Sequence, residues 1–367
     1  MAKKKINPAL TVFVCLLALV IGFAAAFFLY AYIKKPKGGD VYVSGDISFH
    51  FMELGNAYAG DSIYIKAGDT DILIDAGSRA SSTDTTSAYI DGYCTDGVLE
   101  YVIATHADQD HIAGFAGSNS SPSIFDRYEC GVIIDFPRTN KNTETYKKYI
   151  EKRDAEVAAG AEHYTAFECR NAGESETGAR RVWEISDGIE MEILYNYYYE
   201  NDSSDENNYS VCLLFSQGDR HFLFTGDLEK EGEEHLVEEN DLPEVELFKA
   251  GHHGSKTSSN DCLLEVIKPK IVCVCCCAGT DEYTDAKENQ FPTQAMIDRV
   301  SVYTDKVYVT SLYDESAEEG FVSMNGNIVV TSGSGGVTVN CSDNNTLLKD
   351  TEWFANNREM PAAWAAA

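Results

Sequence analysis

The sequence predicts an α/β protein that folds as a four-layer αβ/βα sandwich and is preceded by one transmembrane helix. Strand-like runs occur in groups followed by helical stretches, twice along the chain, which favours this sandwich over a doubly wound parallel sheet. An uncharged run of 25 residues near the N-terminus indicates the membrane helix. We therefore expect an anchor and linker at residues 1–39, a main domain at residues 40–350 and a C-terminal tail at residues 351–367.

The uncharged run covers residues 9–33 and has three lysines on either side. Since a helix needs about 20 apolar residues to cross a bilayer, we expect an uncleaved anchor. A cleaved signal peptide is the alternative, because residues 24–26 are alanines, but the aromatic residues that follow make the run too long for a typical signal sequence. A short tail before a large domain favours a single-pass protein of the cell membrane with its main domain outside the cell.

Alternating apolar and polar residues, bounded by turn residues, predict the strands and helices in chain order. The first group of strands is expected at residues 47–54, 62–67, 71–75, 98–105 and 132–136, before a charged helix at residues 144–161. The second group is expected at residues 182–185, 191–195, 209–216 and 221–225, before an acidic helix at residues 230–239. Further strands at residues 246–250, 270–277 and 306–310, a helix at residues 260–267 and a hairpin at residues 328–331 and 335–340 complete the domain.

The chain is strongly acidic after its N-terminal segment. It has 29 basic and 59 acidic residues, and six of the lysines precede Asp40, so that 23 basic residues remain against 59 acidic ones, a formal charge of −36. Nucleic-acid affinity comes mostly from basic side chains that neutralise phosphates. Tight binding of duplex nucleic acid is therefore not expected.

Four of the eleven cysteines lie in the strand-like stretch KIVCVCCCAG, at positions 273, 275, 276 and 277. A thiolate metal site is one interpretation of this cluster. We favour buried free thiols that pack as small apolar side chains, because too few histidines stand near them in the sequence.

The strongest signal for function is the stretch THADQDHIAG, at residues 105–114. It places His106, Asp108, Asp110 and His111 within six positions, directly after a buried strand and before a helix. Imidazole nitrogens and carboxylate oxygens bind divalent cations, and strand ends are where α/β folds place their chemistry. An acidic helix cap with two incidental histidines is the less favoured interpretation.

Three further stretches end a strand on polar residues that could join such a site. Asp75 follows a strand in ILIDAG, Asp227 follows another in FLFTGDLE, and His252 and His253 follow a third in LFKAGHHGS. Each could separately be a turn, since Asp and Gly are common in turns. Together with the histidine-aspartate motif they can fill one or two metal sites.

In this order, ILIDAG, THADQDHIAG, ENNYSVCLLF, FLFTGDLE and LFKAGHHGSKTSS, the sequence resembles the metallo-β-lactamase fold, and in particular the soluble hydrolase domain of ComEC-type DNA-uptake proteins. The resemblance covers residues 47–340 and implies one or two zinc or manganese ions. It implies that His106 and Asp108 serve a first metal site, that Asp110, His111 and His253 serve a second, and that Asp227 bridges the two.

The resemblance also implies supporting roles near the metals. It implies that Asp110 and Asp227 hold the attacking water, and that His252 or Lys256 contacts the charge that develops on the substrate. The residues implied to support the ligands are Asp75, which orients the ligand loop, and the Asn-x-x-Ser pair Asn207 and Ser210.

Two departures from the family pattern weaken the first metal site. Relatives have Leu-His-Pro where this chain has Leu194-Tyr195-Asn196, and Gly-His-Pro where it has Gln290-Phe291-Pro292. His163 could replace the lost histidine, but its polar, helix-like surroundings favour a surface position. A mononuclear site is therefore an alternative to a dinuclear one.

The resemblance implies a hydrolase in which a metal-activated water cleaves a phosphoester or phosphodiester bond. The uncharged N-terminal run predicts that this enzyme is membrane-anchored, and the acidic charge favours a small or cationic substrate. Hydrolysis of an ester, lactone or β-lactam on the same fold is the first alternative. A catalytically degenerate, anchored binding module is the second, because Tyr195 and Phe291 replace histidines of the family.

Overall fold

The computed structural model describes residues 46–172 and 178–365, and contains sixteen strands within these ranges. In chain order they are β1 (Ile47–Phe51), β2 (Ile63–Ala67), β3 (Thr70–Ile74), β4 (Val98–Ile103), β5 (Glu129–Asp135), β6 (Glu162–Thr165), β7 (Val182–Ser186), β8 (Ile189–Ile193), β9 (Leu213–Gln217), β10 (Arg220–Phe224), β11 (Leu247–Lys249), β12 (Ile271–Ala278), β13 (Val307–Tyr313), β14 (Phe321–Ser323), β15 (Ile328–Gly333) and β16 (Gly336–Cys341).

Nine α-helices connect or cover these strands in the same described ranges. They are α1 (Ser82–Ile90), α2 (Gln109–Ala116), α3 (Glu144–Ala159), α4 (Ala166–Asn171), α5 (Lys230–Glu239), α6 (Asp261–Ile267), α7 (Gln294–Ser301), α8 (Glu352–Asn357) and α9 (Ala362–Ala365).

The strands form two eight-stranded sheets in the described part of the chain. The first has the order β16-β15-β1-β2-β3-β4-β5-β6, and the second has the order β14-β13-β12-β11-β10-β9-β8-β7. Strands β3 to β6 are parallel, as are β10 to β13, and the outer pairs are antiparallel. The β2-β3 hairpin turns through Gly68, whose φ of +60° favours glycine in a two-residue turn.

The two sheets pack face to face through aromatic side chains. The ring of Phe49 on β1 lies 5.6 Å from that of Phe215 and 4.6 Å from that of Phe222, both on the second sheet. Fully burying one such side chain contributes roughly 1.5–3 kcal/mol. These contacts form part of the apolar interface between the two sheets.

Helices cover the outer face of each sheet. On the first sheet, Phe115 of α2 and Tyr149 of α3 pack in the same buried cluster as the strands. On the second sheet, Leu236 of α5, Leu264 of α6 and Met296 of α7 pack in a separate buried cluster with that sheet's outer face. The predicted four-layer αβ/βα sandwich is confirmed.

The predicted strands and the helices at residues 144–161, 230–239 and 260–267 are present, with shifted ends. Five elements were not predicted from the sequence: β6, β14, α1, α4 and α7. Five of the nine residues of α1 are serine or threonine, which favour turns by bonding to the local backbone, so its helical state depends on tertiary packing. Residues 351–365, expected to be a tail, form α8 and α9 and bury Phe354 and Trp364 in the second cluster.

The prediction of one transmembrane helix is not supported and is corrected. No helix in residues 46–172 and 178–365 is both long and apolar enough to cross a bilayer. The longest, α3, has 16 mostly polar residues and buries only Tyr149, whereas a span needs about 20 apolar ones. The segment on which that prediction was made, residues 9–33, lies outside the described residues.

The cysteines of the CVCCC stretch lie on β12, and all four are buried. In the described part of the chain every cysteine is a free thiol. The preference for buried thiols that pack as apolar side chains agrees with this placement.

One buried carboxyl group of α5 makes the stability of the fold depend on pH. Glu233 accepts hydrogen bonds from the backbone nitrogens of Ser259 (2.5 Å) and Asn260 (2.8 Å). Burial outweighs these bonds and raises the pKa of Glu233 from 4.5 to about 7. The folded protein therefore binds the carboxyl proton of Glu233 more tightly than the unfolded chain does. Protonated Glu233 stabilises the fold below pH 4.5, and this contribution is lost as the pH rises towards 7.

We therefore expect the free energy of unfolding of the wild type to fall between pH 4.5 and 7, relative to that of Glu233→Gln, by on the order of 3 kcal/mol. Urea unfolding at several pH values measures this difference. Glu234→Gln, on the exposed side of the same helix, is the control and should keep the wild-type pH dependence. Parallel curves for wild type and Glu233→Gln would contradict the prediction.

Candidate metal centre

The polar residues of the predicted motifs follow parallel strands of both sheets. In the first sheet Asp75 follows β3 and His106 follows β4, which are parallel neighbours. In the second sheet Asp227 follows β10 and His253 follows β11, which are also parallel neighbours. The backbone nitrogen of Val211 donates to the oxygen of Thr105 (2.8 Å), joining the two sheets at this edge. The carboxyl ends of the parallel strands in both sheets therefore meet at one edge of the sandwich.

Four buried side chains form the centre of this site. Asp61, His111, Asp227 and His253 each place a ligand atom so that all four atoms lie within 4.8 Å of one another. The Oδ2 atom of Asp227 lies 3.1 Å from the Nε2 atoms of both His111 and His253. The Oδ1 atom of Asp61 lies 3.2 Å from the Nδ1 atom of His253. We call these four residues the metal cluster.

Three other predicted ligands lie beside the metal cluster. The Oδ2 atom of Asp110 lies 3.2 Å from the Nε2 atom of His253. The ring of His106 lies 4.1 Å from that of His111, and its Nε2 atom is 3.7 Å from the Oδ2 atom of Asp108. The structure thus brings all six sequence-predicted ligands to one edge of the sandwich.

The chemistry of these residues fits a divalent metal ion. Imidazole nitrogens and carboxylate oxygens are the ligands that zinc and manganese use. The buried Nε2 atom of His106 has no hydrogen-bond partner among the described residues, and such a group costs about 1–3 kcal/mol unless something binds it. A cation beside His106 and the metal cluster removes that cost.

The charges of the metal cluster shift its protonation states strongly. Burial is the largest single effect and lowers the pKa of an imidazole, but the neighbouring carboxylates, Asp227 first among them, together outweigh burial and raise the pKa of both His111 and His253 well above the usual value. Burial also raises the pKa of a carboxyl, but these imidazoles and Lys249 hold the pKa of Asp227 well below its usual value. Without metal, the two histidines are therefore protonated.

Asp61 and Lys249 are site residues that the sequence analysis missed. The fully buried Nζ atom of Lys249 lies 2.5 Å from the Oδ2 atom of Asp61 and 3.1 Å from the Oδ1 atom of Asp227. A lysine inside the apolar run LFKA was a signal for Lys249, because a buried ammonium requires charged partners. Asp61, in the unremarkable stretch AGDS, gave no comparable signal.

A close backbone contact places Asp61 in the metal cluster. The backbone nitrogen of Asp61 donates to the oxygen of Asp110 (3.1 Å). A Cβ atom on the preceding Gly60 would lie 2.7 Å from that same oxygen, and the φ of Gly60 is +159°. Only glycine fits at this position, so Gly60 allows the loop between β1 and β2 to approach the histidine-aspartate motif.

The residues expected to support the ligands lie beside them. The Oδ2 atom of Asp75 lies 2.7 Å from the Nδ1 atom of His111, and its Oδ1 atom accepts from the backbone nitrogen of Thr105 (2.8 Å). The Oγ atom of Ser210 accepts from the backbone nitrogen of Asp227 (3.0 Å). The Nδ2 atom of Asn207 lies 3.4 Å from the Nδ1 atom of His252.

The two neighbouring histidines of the LFKAGHHGS stretch point in different directions. Both have left-handed backbones, with φ values of +46° and +52°, a strained conformation that non-glycine residues adopt mainly at functional sites. His253 enters the metal cluster, whereas the Nδ1 atom of His252 lies 3.3 Å from the Oε1 atom of Glu229. His253 is thus the member of the pair in the ligand position.

Three other residues considered in the sequence analysis provide no ligand to the metal cluster. Lys256 is exposed and donates to the Oδ1 atom of Asn289 (2.8 Å). His163 lies on β6, with its Nε2 atom 2.9 Å from the Oδ1 atom of Asp135. Phe291 packs its ring 6.0 Å from that of His253 and offers no ligand atom.

A cavity of about 370 Å³ opens above the metal ligands. Its wall includes Arg79, Asp108, Asp110, Lys141, Asp227 and His252. The hydroxyl group of Tyr283, which also lines the cavity, donates to the Oδ2 atom of Asp110 (2.6 Å). A small molecule that enters this cavity therefore meets the ligand residues together with two cationic side chains.

Comparison with known proteins agrees with this architecture. The pattern of the metallo-beta-lactamase superfamily matches residues 204–278, which include Asp227 and His253. The chain is thus similar to this superfamily over these residues. Its predicted resemblance to this fold and to ComEC-type proteins is confirmed by the relatives described next.

The relatives are competence and recombination proteins. Competence protein ComA of Neisseria gonorrhoeae is 26% identical over 266 residues, which cover 71% of this chain and 31% of ComA. ComE operon protein 3 of Bacillus subtilis is 29% identical over 175 residues, which cover 47% of this chain and 19% of that protein. The matched residues thus correspond to a third or less of these relatives' length. The solved metallo-beta-lactamase fold protein YhfI from Bacillus subtilis aligns over 72% of this chain and 95% of its own, with 10% identity and a TM-score of 0.42.

Replacing Asp75 by asparagine should weaken metal binding about 10- to 100-fold, because the carboxylate that orients the His111 ring is lost. Competition with a chromogenic chelator measures the change. Asp135→Asn is a matched control, since Asp135 is also a buried strand-end aspartate bonded to a histidine, His163, away from the metal cluster. Equal losses in both variants would show that Asp75 acts only on overall stability.

Metal affinity should rise with pH, because an ion must displace the protons that His111 and His253 hold. The logarithm of the apparent affinity should increase by up to about two per pH unit while both imidazoles are protonated. Calorimetric titration in buffers of different ionisation enthalpy counts the released protons. Binding without proton release near neutral pH would contradict the protonation states described above.

Proposed function

We propose that this metallo-β-lactamase domain is a metal-dependent hydrolase of phosphoester bonds in small molecules, phosphodiesters above all. The observation that supports this proposal most directly is the placement of Arg79 and Lys141 in the wall of the cavity above the metal ligands. A phosphoester brings negative charge, and cationic side chains in such a cavity bind and orient it. A neutral lactone has no comparable need for two cations.

Two neighbouring side chains fix the position of the Arg79 guanidinium. Its Nη2 atom lies 2.8 Å from the Oε1 atom of Glu282, and its guanidinium lies 3.7 Å over the ring of Tyr58. A guanidinium fixed in this way loses little conformational freedom when it binds a phosphate. Arg79 therefore orients the substrate in our proposal.

In the proposed reaction, the metal ion and the remaining site residues have separate roles. Bound zinc or manganese supplies a Lewis acid that lowers the pKa of water to ~7. Asp110 and Asp227 accept hydrogen bonds from the attacking water and so orient it. His252, on the cavity wall, is placed to contact the phosphoryl oxygens as their charge develops.

The size of the cavity and the charge of the chain support a small substrate. A volume of about 370 Å³ accommodates a small molecule. The formal charge of −30 on the whole chain opposes tight binding of a polyanion such as duplex nucleic acid. We propose that recognition of the phosphoester is local to the cavity and that the rest of the surface takes no part in it.

A panel of chromogenic substrates tests this function. We expect the metal-loaded wild type to hydrolyse phosphodiesters faster than phosphomonoesters, carboxylic esters, lactones or a cephalosporin. Asp227→Asn should abolish the activity and guards against contaminating enzymes. Preferred hydrolysis of the cephalosporin or a lactone would favour the second class of hydrolase, and no hydrolysis by a metal-loaded protein would favour a binding module.

Arg79→Ala should raise KM for the preferred phosphoester by roughly tenfold or more, because a charge-assisted hydrogen bond contributes about 1.5–3 kcal/mol. Steady-state kinetics measures this effect. Arg220→Ala is the control: Arg220 begins β10, at the opposite end of that strand from Asp227, and donates to the Oγ atom of Ser332 (3.0 Å). An unchanged KM in Arg79→Ala would remove the main support for an anionic substrate.

A further inference from the structure

We propose that the ammonium of Lys141 takes the place of a metal ion at the first metal position, so that the protein works with a single divalent ion. This inference rests on the proposed function, because it concerns the metal content of the same site. It assigns a role to a residue that the family resemblance leaves without one.

The first metal position lacks a third ligand of its own. Only His106 and Asp108 are specific to it. At the position of the missing family histidine, the hydroxyl group of Tyr195 donates to the Oε1 atom of Glu200 (2.6 Å) and is directed away from these two residues. Tyr195 therefore does not replace the lost ligand.

The neighbouring Asn196 does not replace that ligand either. Its Nδ2 atom donates to the backbone oxygens of Asn208 (2.8 Å) and Ser210 (2.9 Å), and its Oδ1 atom accepts from the backbone nitrogen of Tyr198 (3.0 Å). Both polar atoms of this buried amide are thus engaged in holding the backbone.

Lys141 contacts one oxygen of Asp108, whereas the other, Oδ2, lies 3.7 Å from the Nε2 atom of His106. The Nζ atom of Lys141 forms an ion pair with the Oδ1 atom of Asp108, and both side chains line the cavity above the metal ligands. A divalent ion bound to Asp108 would lie against this ammonium, and repulsion between like charges in a partly buried site is strong. The ion pair thus neutralises the one carboxylate that is specific to the first position and opposes the binding of a metal ion there.

The fold holds Lys141 at this place through Glu206. The buried carboxylate of Glu206 accepts from the Oγ1 atom of Thr139 (2.6 Å) and the backbone nitrogen of Asn140 (2.6 Å). It also accepts from the backbone nitrogen of Ala107 (3.3 Å), which directly precedes Asp108. One side chain thus ties the segment that carries Lys141 to the turn that carries Asp108.

The second metal position, in contrast, is complete. Lys249 uses the Oδ2 atom of Asp61 and the Oδ1 atom of Asp227, whereas the other oxygen of each carboxylate faces the histidines of the metal cluster. Lys249 thereby neutralises both carboxylates through these two oxygens and leaves the Oδ1 atom of Asp61 and the Oδ2 atom of Asp227 free to bind a metal ion. Lys141 also leaves one oxygen of Asp108 facing His106, but the charge balance differs. Lys249 is shared by two carboxylates of the metal cluster, whereas Lys141 neutralises the one carboxylate specific to the first position.

Counting bound metal in the full chain tests the inference. After metal removal and reloading with Mn²⁺ or Zn²⁺, elemental analysis should find one ion per chain in the wild type and in Lys141→Arg, which keeps the charge. Lys141→Met should bind two ions per chain. Lys147→Met, an exposed lysine of α3 paired with Glu144, is the control and should bind one.

The outcomes separate this inference from the proposed function. Two ions in the wild type would overturn the role of Lys141 while the hydrolase proposal stands, whereas none would overturn both. One ion in a folded Lys141→Met protein would also overturn that role. Electron paramagnetic resonance of the manganese-loaded wild type needs no variant: an isolated-ion spectrum is expected, and an exchange-coupled spectrum would overturn the inference.

Discussion

The buried carboxylate of Asp227 is the charge on which the rest of this site depends. It contacts His111, His253 and Lys249 at once, and its side chain is 2% exposed. An unpaired carboxylate at this depth would be strongly destabilising, so its partners must arrive from other elements in the correct register. That requirement links β10 and β11 of the second sheet with the histidine-aspartate motif of the first.

The two sheets meet this requirement with backbone contacts as well as side chains. Val211 bonds to Thr105 across the sheets, and Asp61 bonds to the backbone of Asp110 where only glycine fits at position 60. The left-handed backbone of His253 turns its ring towards Asp227. Such strain persists only where the surrounding structure holds it, and here His253 is held by its contacts with Asp61, Asp110 and Asp227.

Cationic side chains have different functions inside this acidic protein. Lys249 is fully buried and balances carboxylates that would otherwise repel one another. Arg79 and Lys141 line the cavity, where they face whatever enters it. The overall charge of −30 opposes large polyanions at the surface, whereas the potential inside the cavity is set by the nearest groups.

The sequence by itself determined the sandwich, most of its strands and six ligand candidates, because apolar periodicity and strand-end motifs are local patterns. It also led to a transmembrane helix that the described residues do not contain. Only the tertiary structure decided that Asp61 and Lys249 join the metal cluster, that Lys256 lies outside it, and that Lys141 reaches Asp108. These contacts join residues far apart in the chain, so they depend on strand register and on how the sheets meet, which no local pattern records.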